Sequence, residues 1–351
     1  MCKLMINTVF LLSLLLLSCN SEKPVENGTV ETNEKSTSME KAEYAIVIHG
    51  GAGTITRDRM TDEMEKQYRE TLNEVLEESR RMLAEGSEAH EVVIAAISMM
   101  EDSPLFNAGK GAVFTNAGTN ELDASIMRGS DLEAGAVGGV SNIKNPIKAA
   151  YAVLDKSQHV FLSGKGAEEF ADDQGLELVD PKYFYTDNRW NSLQTILDKE
   201  EEIGMHITDM ADSKFGTVGA VVLDKSGNIV AGTSTGGMTN KKYGRIGDSP
   251  VIGAGTYADN KTCGVSCTGH GEYFIRYAVA HDVSAMMAYK GSSLEEACEE
   301  IINNKLKNAG GEGGLIALDR WGNVSMPFNT EGMYRGYLTD KEKYIAIYKD
   351  E

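Results

Sequence analysis

Residues 213–235 read SKFGTVGAVVLDKSGNIVAGTST. Two apolar runs flank a turn around 225–227, the pattern of a β-hairpin. The pattern recurs. ELDASIMRGSDLEAGAVGGV spans 121–140, AVVLDKSGNIVAGTSTGG spans 220–237 and LIALDRWGNVSMPFNTEG spans 315–332. Each joins an apolar stretch containing Leu-Asp to a polar turn and a second strand. Their spacing is irregular, which excludes a solenoid. Helical patterns fall at 58–86, 87–102, 145–156, 165–175, 272–289 and 292–308, with Ser87 expected to cap the second and Pro104 to end it. YAIVIHGGAG, from Tyr44, reads as a buried strand entering a glycine turn. Sheets covered by helices follow, α+β in class.

The segment also poses a chemical question. Thr217 follows Gly216 and opens an apolar strand. Either the glycine simply ends a loop, or the peptide bond between them breaks and Thr217 becomes a chain terminus. A threonine hydroxyl is a weak nucleophile that needs a base. A freed α-amino group, with a pKa of about 7.7–8.0, supplies one on the same residue. Glycine before the threonine leaves the backbone room for the Oγ to approach the preceding carbonyl.

The chain of 351 residues carries a net charge of −19 and shows no basic stripe, which argues against a nucleic-acid partner. With 41% apolar and 25% charged residues it is expected to build a packed core. Residues 5–17 are almost wholly apolar and too short for a comfortable membrane span, so 1–19 reads as a signal peptide. It ends LLSC at 16–19, similar to the bacterial lipobox, so Cys19 is expected to be lipidated and to anchor the protein in a bacterial cell envelope. The alternative is ordinary cleavage beside an incidental cysteine. Residues 20–43 are polar and charged and read as a disordered tether, leaving 44–351 as one folded domain. Within it, Cys263, Cys267 and Cys298 suggest no disulfide framework. On one strand, Cys263 and Cys267 would sit about 13 Å apart, beyond the roughly 7 Å a disulfide allows. No metal-ligand spacing of histidines and cysteines is present. The polar stretch 186–215 is long for a connection and reads as functional or mobile.

Three local groupings carry candidate chemistry. Arg245 can hold a carboxylate bidentately, and Asp248, three residues on, can accept from an ammonium group. Together they suit the two ends of an α-amino acid, or else form a local surface ion pair. SCTGHGE, 266–272, offers a hydroxyl and closely spaced amides before a helix, either an oxyanion site or a capped glycine turn. His49, between a strand and two glycines, reads as structural. His270 is assigned no role.

The motifs HGGAGT (49–54), PLFNAGKGAVF (104–114), ELDASIM (121–127), GTVGAVVLD (216–224), TSTGGMTNK (233–241), GRIGDSP (244–250), TGHGE (268–272) and NTEGMYR (329–335) occur in that order. Together the chain resembles the plant-type asparaginase and isoaspartyl peptidase family of N-terminal-nucleophile hydrolases, over nearly all of 44–340. The resemblance implies an αββα sandwich, cleaved at Gly216–Thr217 into an α subunit ending at 216 and a β subunit of 217–351, with a dimer of αβ units. It implies hydrolysis of β-aspartyl peptides and L-asparagine with no organic cofactor. Thr217 matches the nucleophile, Thr235 a second threonine beside it, and Thr268 and Gly269 the oxyanion hole. Arg245 matches the α-carboxylate clamp, and Asp248 with the Gly271 carbonyl the α-amine contacts. Asn107 matches an asparagine near the nucleophile. The loop 100–110 matches a sodium-binding loop, whose ligands would be the carbonyls of Met100, Glu101, Ser103, Phe106, Ala108 and Lys110. Two other readings remain: a glycosylasparaginase acting on sugar-linked asparagine, and an inactive surface binding lipoprotein.

Overall fold

A computed structural model describes residues 41–205 and 216–351. The expected signal peptide, Cys19 and all but the end of the tether lie outside the described residues, as do 206–215 just before the Gly216–Thr217 junction.

The order of elements is β1 (Ala45–Gly53), α1 (Asp62–Glu85), α2 (Ala89–Glu101), β2 (Leu122–Arg128), β3 (Ala134–Val140), α3 (Pro146–Lys156), β4 (Phe161–Ser163), α4 (Gly164–Asp173) and α5 (Asp187–Ile203). Then come β5 (Val218–Leu223), β6 (Ile229–Thr235), β7 (Thr256–Ala258), β8 (Cys263–Gly269), α6 (Gly271–Tyr277), α7 (Val279–Ala285), α8 (Leu294–Glu299), β9 (Gly313–Asp319), β10 (Val324–Ser325), β11 (Gly332–Thr339) and β12 (Lys343–Tyr348). Eight strands form one sheet in the order β12-β11-β1-β5-β6-β2-β3-β4, and four form another, β10-β9-β8-β7. The three repeated motifs are the antiparallel hairpins β2–β3, β5–β6 and β9–β10.

Strand alternation builds the layers. On β1, Ile46 and Ile48 join an apolar cluster with Leu72, Val93 and Ile97 of α1 and α2, while Ala45 and Val47 face the other way. There they meet Val221, Ile229, Ile316 and Leu318, so this second cluster lies between the two sheets. The opposite face of the small sheet, Val265, Cys267 and Leu315, packs on Phe274, Val283 and Ile301 of the C-terminal helical segments. The α+β expectation stands, with helices outside and both sheets within.

Several local expectations are corrected. Helix α2 is capped by Glu88 rather than Ser87, and the Glu88 amide donates to the Glu91 carboxylate at 3.0 Å. The expected helix over 272–289 is broken at Ala278, whose φ of +48° falls in the left-handed region. Within the stretch 186–215, read as functional or mobile, residues 187–203 form α5, capped by the Thr186 side chain. Only a few of its side chains are buried, among them Leu193 and Ile196, so its apolar stripe is faint in sequence. Its Arg189 is buried as well and donates from Nε to the Gly111 carbonyl at 2.9 Å, tying α5 to the loop that carries Asn107. Cys263 and Cys267 share β8 as expected, and both are buried free thiols.

Candidate active site

The hairpin register places the two threonines. In β5–β6, Val218 faces Ser234 and Gly219 faces Thr233. Thr217, one residue before the first pair, therefore stands beside Thr235 at the end of β6. Its Oγ1 donates to Thr235 Oγ1 at 3.0 Å, and Thr235 Oγ1 also accepts the Gly237 amide at 3.1 Å. Both threonines are buried.

Asn107 stitches this corner together. Its backbone amide donates to the Gly216 carbonyl and its carbonyl accepts the Gly236 amide, each at 2.9 Å. Its side chain donates to Gly237 O at 2.7 Å and accepts from the Val113 amide at 2.9 Å. The fit is tight. A Cβ on Gly216 would come within 2.8 Å of Asn107 Cβ, and one on Gly236 within 2.5 Å of its Oδ1. The carbonyl carbon at the Gly216–Thr217 bond is thus polarised by a fixed amide donor.

Arg245 and Asp248 lie on the loop between β6 and β7 and line one cleft with Thr217, Thr235, Gly237, Met238, Gly247, Ser249 and Gly269. Gly269 ends β8 at a φ of +151°, where a Cβ would strike the Glu312 carbonyl at 2.4 Å. Thr268 precedes it, fully buried, with Oγ1 accepting from the Ala52 amide at 3.3 Å. Gly271 closes the group from behind: a Cβ there would lie 2.8 Å from Asp248 Oδ1 and 2.9 Å from Arg245 Nη2. The structure therefore gathers the residues singled out from three distant stretches of sequence.

Glu272 was not anticipated. It meets Arg245 bidentately, with Nε to Oε1 at 2.9 Å and Nη2 to Oε2 at 2.8 Å. Its position in the first turn of α6, four residues after Thr268, was the available signal. The pair leaves Arg245 Nη1, which lies against Gly247, as the open arm of the fork. Asp248 is buried, and its Oδ2 has no hydrogen-bond partner among the described residues. Burial raises its pKa from 3.8 to about 7, against the pull of Arg245. A cation hydrogen-bonded to Oδ2 would favour its ionised form.

The loop 100–110 curls on itself. A Cβ on Gly109 would lie 2.3 Å from Glu101 O, and one on Gly111 2.0 Å from Phe106 O. Ala108 O accepts the Gly111 amide, and Met100 O accepts that of Ser103. The Glu101 side chain turns elsewhere, accepting from Ser234 Oγ at 2.7 Å and the Ile147 amide at 3.1 Å. Among the described residues no cluster of three or more His, Cys, Asp or Glu side chains could hold a metal ion. Any cation here would rest on carbonyl oxygens, a donor set that suits a hard ion.

His49 is fully buried, and burial pushes its pKa down to about 3, with a hydrogen bond to the Thr217 backbone working the other way. It is neutral and does not line the cleft, in keeping with the structural reading.

Comparison with known proteins extends the picture. The asparaginase family model matches residues 42–347. The isoaspartyl peptidase of Escherichia coli (strain K12) is 51% identical over 310 residues, covering 87% of this chain and 96% of that protein. The plant-type L-asparaginase of Pyrococcus abyssi is 40% identical over 302 residues, covering 84% and 96%. The isoaspartyl peptidase/L-asparaginase of Mus musculus is 40% identical over 292 residues, covering 81% and 86%. These findings correct the expected location as a lipid-anchored protein of the bacterial envelope. The relatives come from a bacterium, an archaeon and an animal, their names carry no envelope or lipoprotein attribute, and the family match begins only at residue 42. Among the described residues no helix is long and apolar enough to cross a membrane. The family match spans nearly the whole folded region, and the chain belongs to the asparaginase family.

Proposed function

We propose that this chain is an N-terminal-nucleophile amidohydrolase that cleaves β-aspartyl peptides and L-asparagine after breaking its own Gly216–Thr217 bond. The observation that carries the reading is the cleft that Thr217, Thr235, Arg245, Asp248 and Gly269 share. A hydroxyl nucleophile, an oxyanion corner, a guanidinium and a buried carboxyl with an unpartnered oxygen match an amino acid whose side-chain carbonyl is the target.

In maturation, Thr217 Oγ attacks the Gly216 carbonyl carbon, whose oxygen is held by the Asn107 amide at 2.9 Å. The acyl group moves from nitrogen to oxygen, and water hydrolyses the ester. This frees the Gly216 carboxylate and the Thr217 amine, giving an α subunit to 216 and a β subunit of 217–351.

In turnover, the freed amine takes the proton from its own Oγ as the oxygen attacks the β-aspartyl carbonyl. Thr268 and Gly269 hold the resulting oxyanion. The amine returns the proton to the departing nitrogen, which leaves as ammonia or as the amine of the next residue. Water then attacks the acyl-enzyme, restoring the Thr217 hydroxyl and releasing aspartate. Arg245 binds the α-carboxylate through its open arm, while Asp248 and the Gly271 carbonyl bind the α-ammonium. A sodium ion in the loop 100–110 would be held by the carbonyls of Met100, Glu101, Ser103, Phe106, Ala108 and Lys110. It would serve to brace the loop bearing Asn107, with no chemical step of its own.

Comparing initial rates on β-Asp-Leu, L-asparagine and a sugar-linked asparagine tests the substrate. The reading expects turnover of the first two. Hydrolysis of the sugar-linked compound alone would replace it with the glycosylasparaginase reading, and inertness to all three would overturn it.

A further inference from the structure

Behind the cleft, between the two sheets, runs an unbroken line of buried polar side chains. His49 Nε2 lies 3.0 Å from Ser266 Oγ, and Ser266 Oγ lies 2.6 Å from Thr233 Oγ1. Thr233 Oγ1 lies 2.6 Å from Thr256 Oγ1, which is 2.8 Å from Ser125 Oγ. Ser125 Oγ donates to the Ser249 carbonyl at 2.6 Å. All five side chains are fully buried, and they come from β1, β8, β6, β7 and β2.

The line also reaches the backbone. Each hydroxyl has one proton to donate. Ser125 donates to the Ser249 carbonyl, and Thr233 Oγ1 also donates to the Gly255 carbonyl at 3.1 Å, so the line reaches two backbone acceptors. His49 Nδ1 has no hydrogen-bond partner among the described residues. The line thus ties five buried side chains to the backbone carbonyls of Ser249 and Gly255.

The fold gives up something to keep it. Gly219 stands opposite His49 in the β1–β5 register, two residues from Thr217. A Cβ there would lie 2.0 Å from Ser266 Oγ and 2.3 Å from His49 Nε2. Glycine inside a strand is destabilising relative to alanine. Apolar residues of the same shape would fill this layer without needing partners, whereas a fully satisfied buried network specifies one arrangement.

Both ends of the relay abut the site. His49 faces Gly219, two residues from Thr217, across β1–β5, and Ser249 follows Asp248 and lines the cleft. We propose that this buried hydroxyl relay positions the strand bearing Thr217 and the loop bearing Asp248 as one unit, making His49, Ser266, Thr233, Thr256 and Ser125 positioning residues. The proposal rests on the functional reading given above for the roles of Thr217 and Asp248.

The test compares full-length Thr233→Val, Thr233→Ser and Ser125→Ala with the wild type. Valine keeps the shape of threonine and removes the hydroxyl, whereas serine keeps the hydroxyl. Thr233→Val is expected to lower kcat on β-Asp-Leu and weaken L-aspartate binding, each about tenfold, with Thr233→Ser restoring both. Ser125→Ala is expected to weaken L-aspartate binding about tenfold while maturation proceeds at the wild-type rate. A substrate-free signature accompanies these. In ¹⁵N-histidine spectra the His49 ring signals should move in Ser125→Ala, although four hydrogen bonds separate the two residues. Variants that melt earlier but keep wild-type kcat and L-aspartate affinity, or an unmoved His49 signal in Ser125→Ala, would overturn the proposal. If the wild type itself failed to hydrolyse β-Asp-Leu, the functional reading would fall and the His49 signal would still decide the relay.

Discussion

Thr217 and Thr235 end neighbouring strands with their hydroxyl oxygens 3.0 Å apart, Thr217 donating. Thr235 in turn takes the Gly237 amide, so its position is fixed by backbone as well as by its own strand. The contact fixes the Thr217 rotamer and orients its lone pairs. Thr235→Val retains the β-branched shape and removes the acceptor. Chain cleavage should slow, and kcat of the matured fraction should fall by about tenfold, some 1.4 kcal/mol. Following band splitting on a denaturing gel over time, then kcat on β-Asp-Leu, checks this. Wild-type rates in both would make the contact incidental.

The Arg245–Glu272 fork depends on a planar guanidinium. A lysine keeps the charge but can neither pair bidentately with Glu272 nor offer an open arm to a substrate carboxylate. Arg245→Lys should lower kcat/KM on β-aspartyl dipeptides at least about tenfold while maturation is unaffected, since no substrate carboxylate takes part in it. Steady-state kinetics on fully cleaved Arg245→Lys protein is the measurement. Near-wild-type kcat/KM would reduce the arginine to a partner of Glu272.

Asp248 gives the site a pH dependence of definite sign. Burial holds its carboxyl protonated to about pH 7, and only the carboxylate accepts a substrate ammonium strongly. L-Aspartate binding should therefore tighten as pH rises through about 7, and in Asp248→Asn it should be weak and flat across the range. Stability runs the opposite way. Folded Asp248 holds its proton more tightly than unfolded Asp248, so its contribution to stability falls as pH rises from 3.8 through about 7. Calorimetric titration of L-aspartate at several pH values would expose an error here: a dissociation constant unchanged between pH 6 and 8 would mean that Asp248 is ionised throughout that range, an interval spanning about one unit either side of its midpoint.

Much of this was legible in the sequence because the informative patterns are local. The hairpins follow from alternating apolar runs and turn residues, and the two threonines from the register of a single hairpin. Glycines at 216, 236, 269 and 271 mark places where backbone crowds a neighbour, which is why those motifs stood out. What stayed hidden is what depends on long-range packing. Helix α5 has a faint apolar stripe and buries Arg189, a residue type that reads as surface. The Ala278 break in the helix after β8 has no glycine or proline to announce it. Glu272 looks like any first-turn acid until Arg245 arrives from 27 residues away. The hydroxyls at Ser125, Thr233, Thr256 and Ser266 are ordinary strand residues in sequence, and only the stacking of the two sheets brings them into line.

The central claim is that Thr217 is a nucleophile exposed by cleavage rather than a residue that merely opens β5. Intact mass and N-terminal sequencing of wild type, Thr217→Ser and Thr217→Val, with β-Asp-Leu hydrolysis of each, test it most directly. Valine keeps the strand-compatible shape and lacks only the Oγ. The wild type should yield a fragment beginning Thr-Val-Gly-Ala-Val, and Thr217→Ser should cleave, more slowly, and keep some turnover. Thr217→Val should remain one folded chain without activity. A Thr217→Val protein that still splits and hydrolyses β-Asp-Leu, or a wild type that turns over as a single uncut chain, would contradict the account.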